Sequence, residues 1–196
     1  MSLSYLTKQG AAIETVFDDL ARLRIAVFRD FPYLYEGSPE YEKEYLKTYA
    51  HSERAFLFAV YNGAKMVGAT TCIPLRDETT EVQAPFRSSG LAIDSIFYFG
   101  ESILLSEYRG LGLGHRFFDE REKHASSFGT FKTTCFCAVE RVNHSAQPAG
   151  YRPNDAFWIK RGYHKVPDLK ATMEWPDIGE TISTPKTMIF WMKNSS

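Results

Sequence analysis

The sequence predicts a mixed α/β (α+β) domain, and three observations carry that expectation. An apolar run at Ile103-Leu104-Leu105 passes through a glycine-rich turn into a charged, amphipathic segment, so residues 100–125 read as strand, loop, helix. Asn62-Gly63 stands between two apolar runs, the pattern of a tight hairpin. The remaining segments alternate in character, giving the order strand, two helices, hairpin, central strand, glycine loop, helix, strand, helix, strand pair. At 196 residues the chain can bury a substantial core, and no repeat, low-complexity tract or linker divides it. Residues 1–196 are therefore read as one domain.

The elements follow in order. Tyr5 to Lys8 reads as a short first strand. Ile13 to Phe28 places Ile13, Val16, Phe17, Leu20, Leu23, Val27 and Phe28 near helical spacing, with Arg22, Arg24 and Arg29 among them. Asp30 to Gly37 is aromatic and broken by Pro32, so it reads as a loop. Ser38-Pro39-Glu40 has a cap residue, a proline at the first helical position and an acid next, so a helix is expected from there to about Tyr49. Ala55–Tyr61 and Lys65–Pro74 are the hairpin strands. After a polar link, Ala84-Pro85-Phe86 reads as the opening of a short helix. Ile93 to Phe99 leads into the central strand, and Gly129 stops the helix after the loop. Thr133–Val139 is a strand, residues 140–150 a loop, and Pro153–Arg161 a helix closed by Gly162. Tyr163–Trp175 contains a strand interrupted by Pro167, and Thr187–Met192 is the last strand.

Composition narrows the function. A formal net charge of −1 supplies no basic field for nucleic acid or for an anionic membrane. No apolar run reaches the length of a membrane span and no apolar segment opens the chain, so a cytoplasmic location is expected. The three cysteines, Cys72, Cys135 and Cys137, form no C-x-x-C pair and read as buried, reduced thiols. No metal site is expected.

The chemistry concentrates in Arg109-Gly110-Leu111-Gly112-Leu113-Gly114-His115. A helix N-terminus leaves its first N–H groups unpaired and carries partial positive charge. Glycines ahead of it let several amides converge on one phosphate group, and Arg109 adds a charge-assisted contact. A P-loop needs Gly-Lys-Ser/Thr at its end, where this loop has Gly114-His115. A dinucleotide fingerprint needs an acid about 20 residues on, and residues 130–134 hold none.

What fits is R-x-x-G-x-G, filled by Arg109, Gly112 and Gly114, and this resembles the acetyl-CoA loop of the GNAT N-acetyltransferase superfamily. The order of elements is similar over nearly the whole chain. Phe157 to Tyr163 resembles that family's aromatic-x-x-x-Gly-aromatic helix end. The resemblance implies a mixed, mostly antiparallel sheet of six to seven strands, flanked by about four helices, with a splayed central strand pair opened by a bulge near Leu104–Ser106. It implies that acetyl-CoA is the cosubstrate. The implied contacts are backbone groups at Leu104, Leu105 and Ser106, the loop residues Arg109, Gly110, Leu111, Gly112, Leu113, Gly114 and His115, and Asn154 and Trp158.

Acyl transfer to an amine needs a base, because a lysine-type amine has a pKa of about 10.4. Glu101, an acid inside an apolar strand, is the first candidate, with Glu140 in reserve. A buried Glu paired with an Arg is the competing account of Glu101. Trp158 stands where the family often has a proton-donating Tyr. Tyr151 and Tyr163 are the candidate replacements, with an ordinary core role as the competing account of each. Unassisted departure of the thiolate or a proton from water are the alternatives. The acceptor pocket is expected between residues 31–49 and 141–152, whose aromatics and acids suit a cationic amine. The expected activity is transfer of an acetyl group to a primary amine of a small molecule or peptide, directly within a ternary complex. A catalytically silent CoA-binding sensor or scaffold is the alternative, and a ligand-free interaction domain a third. A homodimer is left open.

Overall fold

The computed structural model describes residues 2–194. Seven strands form one sheet: β1 (Leu3–Gln9), β2 (Phe56–Asn62), β3 (Lys65–Pro74), β4 (Ile96–Leu104), β5 (Thr133–Val139), β6 (His164–Trp175) and β7 (Thr184–Asn194). Their spatial order is β1-β2-β3-β4-β5-β7-β6, and only β4–β5 is parallel. Five α-helices stand where about four were expected: α1 (Phe17–Phe28), α2 (Pro39–Ala50), α3 (Thr80–Ser88), α4 (Leu113–Ser126) and α5 (Asp155–Lys160).

Alternation along the strands builds two cores. In β2, Leu57 and Ala59 face α1–α3, while Phe56, Phe58 and Val60 face α4 and α5. A strand buried on both faces reads as a continuous apolar run, which is why β2 was legible. The long first helix splits in two. A 3-10 segment covers Gly10–Val16, and α1 starts at Phe17 with Asp18 and Asp19 complementing its dipole. Ser38 caps α2 by accepting the Tyr41 N–H at 3.3 Å. α3 corrects an expectation: it begins at Thr80 and carries Pro85 inside it rather than at its opening. The stripe Val82, Gln83 and Phe86 packs inward and holds this short helix despite the proline.

The sheet has one break that positions everything else. β4 and β5 pair only at Ile96↔Thr133, Phe97↔Thr134 and Tyr98↔Cys135, then part. Ahead of this gap β4 is bulged: Thr70 pairs with Ser102 and Cys72 with Phe99, so Gly100 and Glu101 together oppose Thr71. The splayed pair is as expected, but the bulge lies at Gly100–Glu101 rather than at Leu104–Ser106. It reverses the alternation: Tyr98 and Ile103 share one core, Phe97 and Phe99 the other. Gly100 is required there, since a Cβ would stand 1.8 Å from Tyr49 Oη.

Beside the bulge, Glu78 is buried and accepts from Tyr49 Oη at 3.0 Å and from Tyr45 Oη at 3.4 Å. Burial pushes its carboxyl up to about 7, against hydrogen bonds from Thr79, Tyr49 and Tyr45 that favour the anion. The folded pKa lies above the unfolded value near 4.5. The contribution to stability is therefore full below the unfolded pKa and lost as pH rises through the folded one, a change on the order of 3 kcal/mol. Urea melts at pH 5 and 7.5 should show this loss, and Glu78→Gln should flatten it. An unchanged slope in the variant would assign the dependence to other groups.

Candidate active site

The loop after β4 is built from local requirements. Ser106–Tyr108 forms one 3-10 turn, Arg109 is extended, and Gly110 and Gly112 both have φ of +79°. Only glycine occupies that region without strain. A Cβ on either would meet no heavy atom within 4 Å, so conformation rather than crowding calls for glycine, and the face of the loop is clear. Gly112 is the N-cap of α4. No side chain caps this helix and its first turn holds no acid. Its leading amides are thus open to an anion. Arg109 is exposed beside them and, among the described residues, makes no ion pair.

The end of β4 supplies further polar groups. The Leu105 N–H donates to Val67 O at 3.0 Å, and Leu105 O accepts from the Tyr108 N–H at 3.0 Å. Both backbone groups of Leu105 are thus engaged within the fold. In an antiparallel ladder successive residues face alternate neighbours. Ser102 and Leu104 accordingly turn their backbone groups toward the gap that β5 has left.

The gap opens into a cavity of about 880 Å³ that connects the two faces of the sheet. Arg109, Gly114, Phe118 and Trp158 line it on the α4–α5 face, Phe31, Tyr33 and Tyr151 on the α1–α2 face, and Glu101, Ser102 and Leu104 between. Of the expected segments 31–49 and 141–152, residues 31–33 meet Arg141, Val142, Pro148, Tyr151 and Arg152 here, whereas no residue of 34–49 lines the cavity. The two segments are tied together through Arg141, which donates to Asp177 at 2.7 and 2.6 Å and to Tyr33 O at 3.0 Å. These bonds from Arg141 hold the Asp177 carboxyl below its usual range.

Glu101 lies on the α1–α2 side of the bulge, buried, with one carboxylate oxygen paired to Arg24 and Oε1 without a partner. Arg24 also pairs with Glu42, which is fully buried. Burial raises the Glu101 carboxyl, and Arg24 opposes the rise. Burial likewise disfavours the Arg24 charge, but Glu101 and Glu42 together outweigh it and raise its pKa. Glu101 is thus the Arg-paired buried acid of the competing account, and it also lines the cavity. Glu140 is exposed and pairs with Lys165 at 3.2 Å. Of the acids near residues 31–49, Glu36 and Glu44 are solvated and paired with neighbours, whereas Glu42 is interior.

Tyr151 is half-buried in the cavity wall, edge-on to Phe31 at 4.7 Å, and burial raises its pKa. Tyr163 is instead a core residue, its hydroxyl joined to Thr134 at 2.9 Å and Glu122 at 3.2 Å. Trp158 packs on Phe136 at 5.0 Å and Trp191 at 5.1 Å. Asn154 is exposed in the wall at the head of α5. His115 lies edge-on to Phe157 at 4.9 Å. Ser106 and Leu111 are exposed, and Leu113 is buried under α4. Sequence reasoning did not single out Arg24 or Arg121 as parts of this site. Helical spacing could have found Arg121, since Phe117, Arg121 and Ala125 form one inward stripe at i, i+4, i+8.

No family model matches the chain, and no curated protein matches it. Solved structures do. It is similar to the ribosomal-protein-alanine N-acetyltransferase from Brucella melitensis, with TM-score 0.60 and 13% identity over 97% of this chain and 99% of that one. It is similar to NAA60 from Arabidopsis thaliana, solved with a bisubstrate analogue, with TM-score 0.60 and 10% identity over 98% and 100%. The PaiA N-acetyltransferase from Thermoplasma acidophilum, solved with coenzyme A, aligns over 100% of both chains with TM-score 0.54 and 10% identity. The fold is that of the GNAT acetyltransferases, in agreement with the resemblance carried by the glycine loop.

Proposed function

We propose that the protein is an acetyl-CoA-dependent N-acetyltransferase acting on a primary amine of a small molecule or peptide. One observation carries the reading: the open, uncapped start of α4 lies at the mouth of the gap where β4 and β5 part. The residues present fit the cosubstrate. The amides around Gly110 to Gly114, with Arg109, suit a pyrophosphate, and the backbone groups of Ser102 and Leu104 suit an extended amide-bearing arm. Acetyl-CoA, when bound, supplies an acyl group activated as a thioester. The structures of PaiA with coenzyme A and of NAA60 with a bisubstrate analogue support this use of the fold.

The chain's own groups then divide the work. Glu101, with its raised pKa and unpartnered Oε1, takes the proton of the attacking amine, directly or through water. Phe31, Tyr33 and Tyr151 wall the acceptor side against bulk water. Tyr151, the half-buried phenol of the wall, returns a proton to the departing thiolate. Asn154, Trp158 and His115 border the cosubstrate from α5 and the start of α4.

Titration calorimetry with acetyl-CoA, followed by a CoA-release assay over a panel of amines, tests the proposal. Glu101→Gln should lower turnover by about 10²–10⁴-fold and leave acetyl-CoA affinity within about twofold. Tight binding with no turnover on any amine would favour the silent module, and no heat of binding would remove both readings.

A further inference from the structure

Arg121 is a buried cation that the fold does not explain. It is 2% exposed and lies in the wall of the cavity. Its guanidinium sits between two rings, 4.4 Å from the Phe99 centroid and 4.5 Å from that of Phe118. Nε donates to Phe117 O at 3.2 Å and Nη1 to Glu101 O at 3.4 Å, while Nη2 has no partner. No carboxylate pairs with it among the described residues.

The acids around it, Glu101 and Glu122, act on it through space and make their ion pairs with other residues. Glu101 on β4 is paired with Arg24. Glu122, the next residue on α4, is held by Arg161 at 2.8 Å and Lys193 at 3.1 Å. Tyr163 and Cys72 are kept protonated by burial. Burial also lowers the Arg121 pKa from its ordinary value, yet an arginine stays charged. Buried charges are ordinarily paired, because desolvation is expensive. Such violations concentrate where function needs them. A buried cation with no direct ion-pair partner, set in a cavity wall, is complementary to a negative charge that arrives only during a reaction.

We propose that Arg121 compensates the negative charge of the leaving thiolate. The inference rests on the acyltransferase reading above. In the step, the amine nitrogen bonds to the thioester carbonyl carbon, the C–S bond breaks, and its electron pair stays on sulfur as CoA thiolate. The amine proton passes to Glu101. The thiolate leaves as an anion beside Arg121 and takes its proton afterwards from Tyr151 or water.

The test requires no knowledge of the acceptor. Free CoA is bound to the protein and its thiol is titrated by thiolate absorbance near 232 nm. Bound to the wild-type protein, the thiol should ionise at least tenfold more readily than in solution. In Arg121→Met the ionisation should return to the solution value, with CoA affinity retained. Arg121→Lys should keep part of the effect. Removing an unpaired buried charge should leave the melting temperature of Arg121→Met unchanged or higher, whereas a structural arginine would lower it. If CoA binds and its thiol ionises alike in wild type and Arg121→Met, this inference fails and the acyltransferase proposal stands. If CoA does not bind the wild-type protein, the acyltransferase proposal itself fails. Should Arg121→Met not fold, the wild-type and Arg121→Lys titrations decide, and a wild-type thiol that ionises as in solution overturns the assignment.

Discussion

Gly112→Val is expected to weaken acetyl-CoA binding by at least about a hundredfold while the protein stays folded. The residue holds φ of +79° and ψ of −4°, and it is the N-cap of α4. Left-handed backbone costs an L-residue roughly 1–2 kcal/mol, and a β-branched side chain fits there worst of all. Nothing packs against this position, since a Cβ meets no atom within 4 Å. The loop is therefore free to relax into another conformation rather than unfold the domain, and the relaxed amides no longer converge. Each hydrogen bond to a charged group is worth about 1.5–3 kcal/mol, so the loss of two accounts for the expected factor. Calorimetry measures the affinity, and a thermal melt checks that the fold loses no more than roughly 2 kcal/mol. Gly112→Ala should fall between the two. An unchanged dissociation constant in Gly112→Val would show that these amides hold no phosphate.

Arg24→Leu should destabilise the protein by about 3–5 kcal/mol at pH 7.5, the usual consequence of breaking a buried ion pair from one side. Arg24 joins Glu42 of α2 to Glu101 of β4 and packs its guanidinium 4.6 Å from the Tyr45 ring centroid. Without it two buried carboxylates lose their ion-pair partner, and burial then raises the Glu101 carboxyl with less opposition. The folded pKa of Glu101, already raised by burial, then lies further above its unfolded one, so the variant loses stability as pH rises and loses less of it at pH 5. Adding Glu42→Gln and Glu101→Gln to Arg24→Leu should recover most of the loss, because the uncompensated charges go with them. Urea melts at the two pH values measure all of this. A loss below about 1 kcal/mol in Arg24→Leu would place the triad in water rather than in the core.

The contrast between these two sites explains what could be read from the chain alone. The glycine loop is local. Its meaning lies in neighbouring residues whose φ requirements and helix-start geometry act over a few positions, so the pattern from Arg109 to Gly114 was sufficient. Strands β3 and β5 were placed to the residue for the same reason. The triad is not local: Arg24 and Glu42 are 18 residues apart, and Arg24 and Glu101 are 77 apart. Nothing near Arg24 in sequence announces which acids it meets. The bulge was expected four residues too late because its place depends on the partner strand. Thr71 and the Tyr49 hydroxyl select Gly100–Glu101, and both lie outside the segment itself. Pro85 misled because proline favours helix openings, whereas tertiary packing of Val82 and Phe86 overrides that preference here.

Hydrophobic period, turn chemistry and the glycine spacing by themselves determined the order of elements and the strand-loop-helix form of residues 100–125, since each is an energy paid and recovered within a few residues. Only the tertiary structure decided that β5 abandons β4 after Tyr98, that Glu101 meets Arg24, and that Arg121 is buried with no direct ion pair among the described residues. Those are matters of desolvation and charge compensation, and they exist only once distant segments exclude water together.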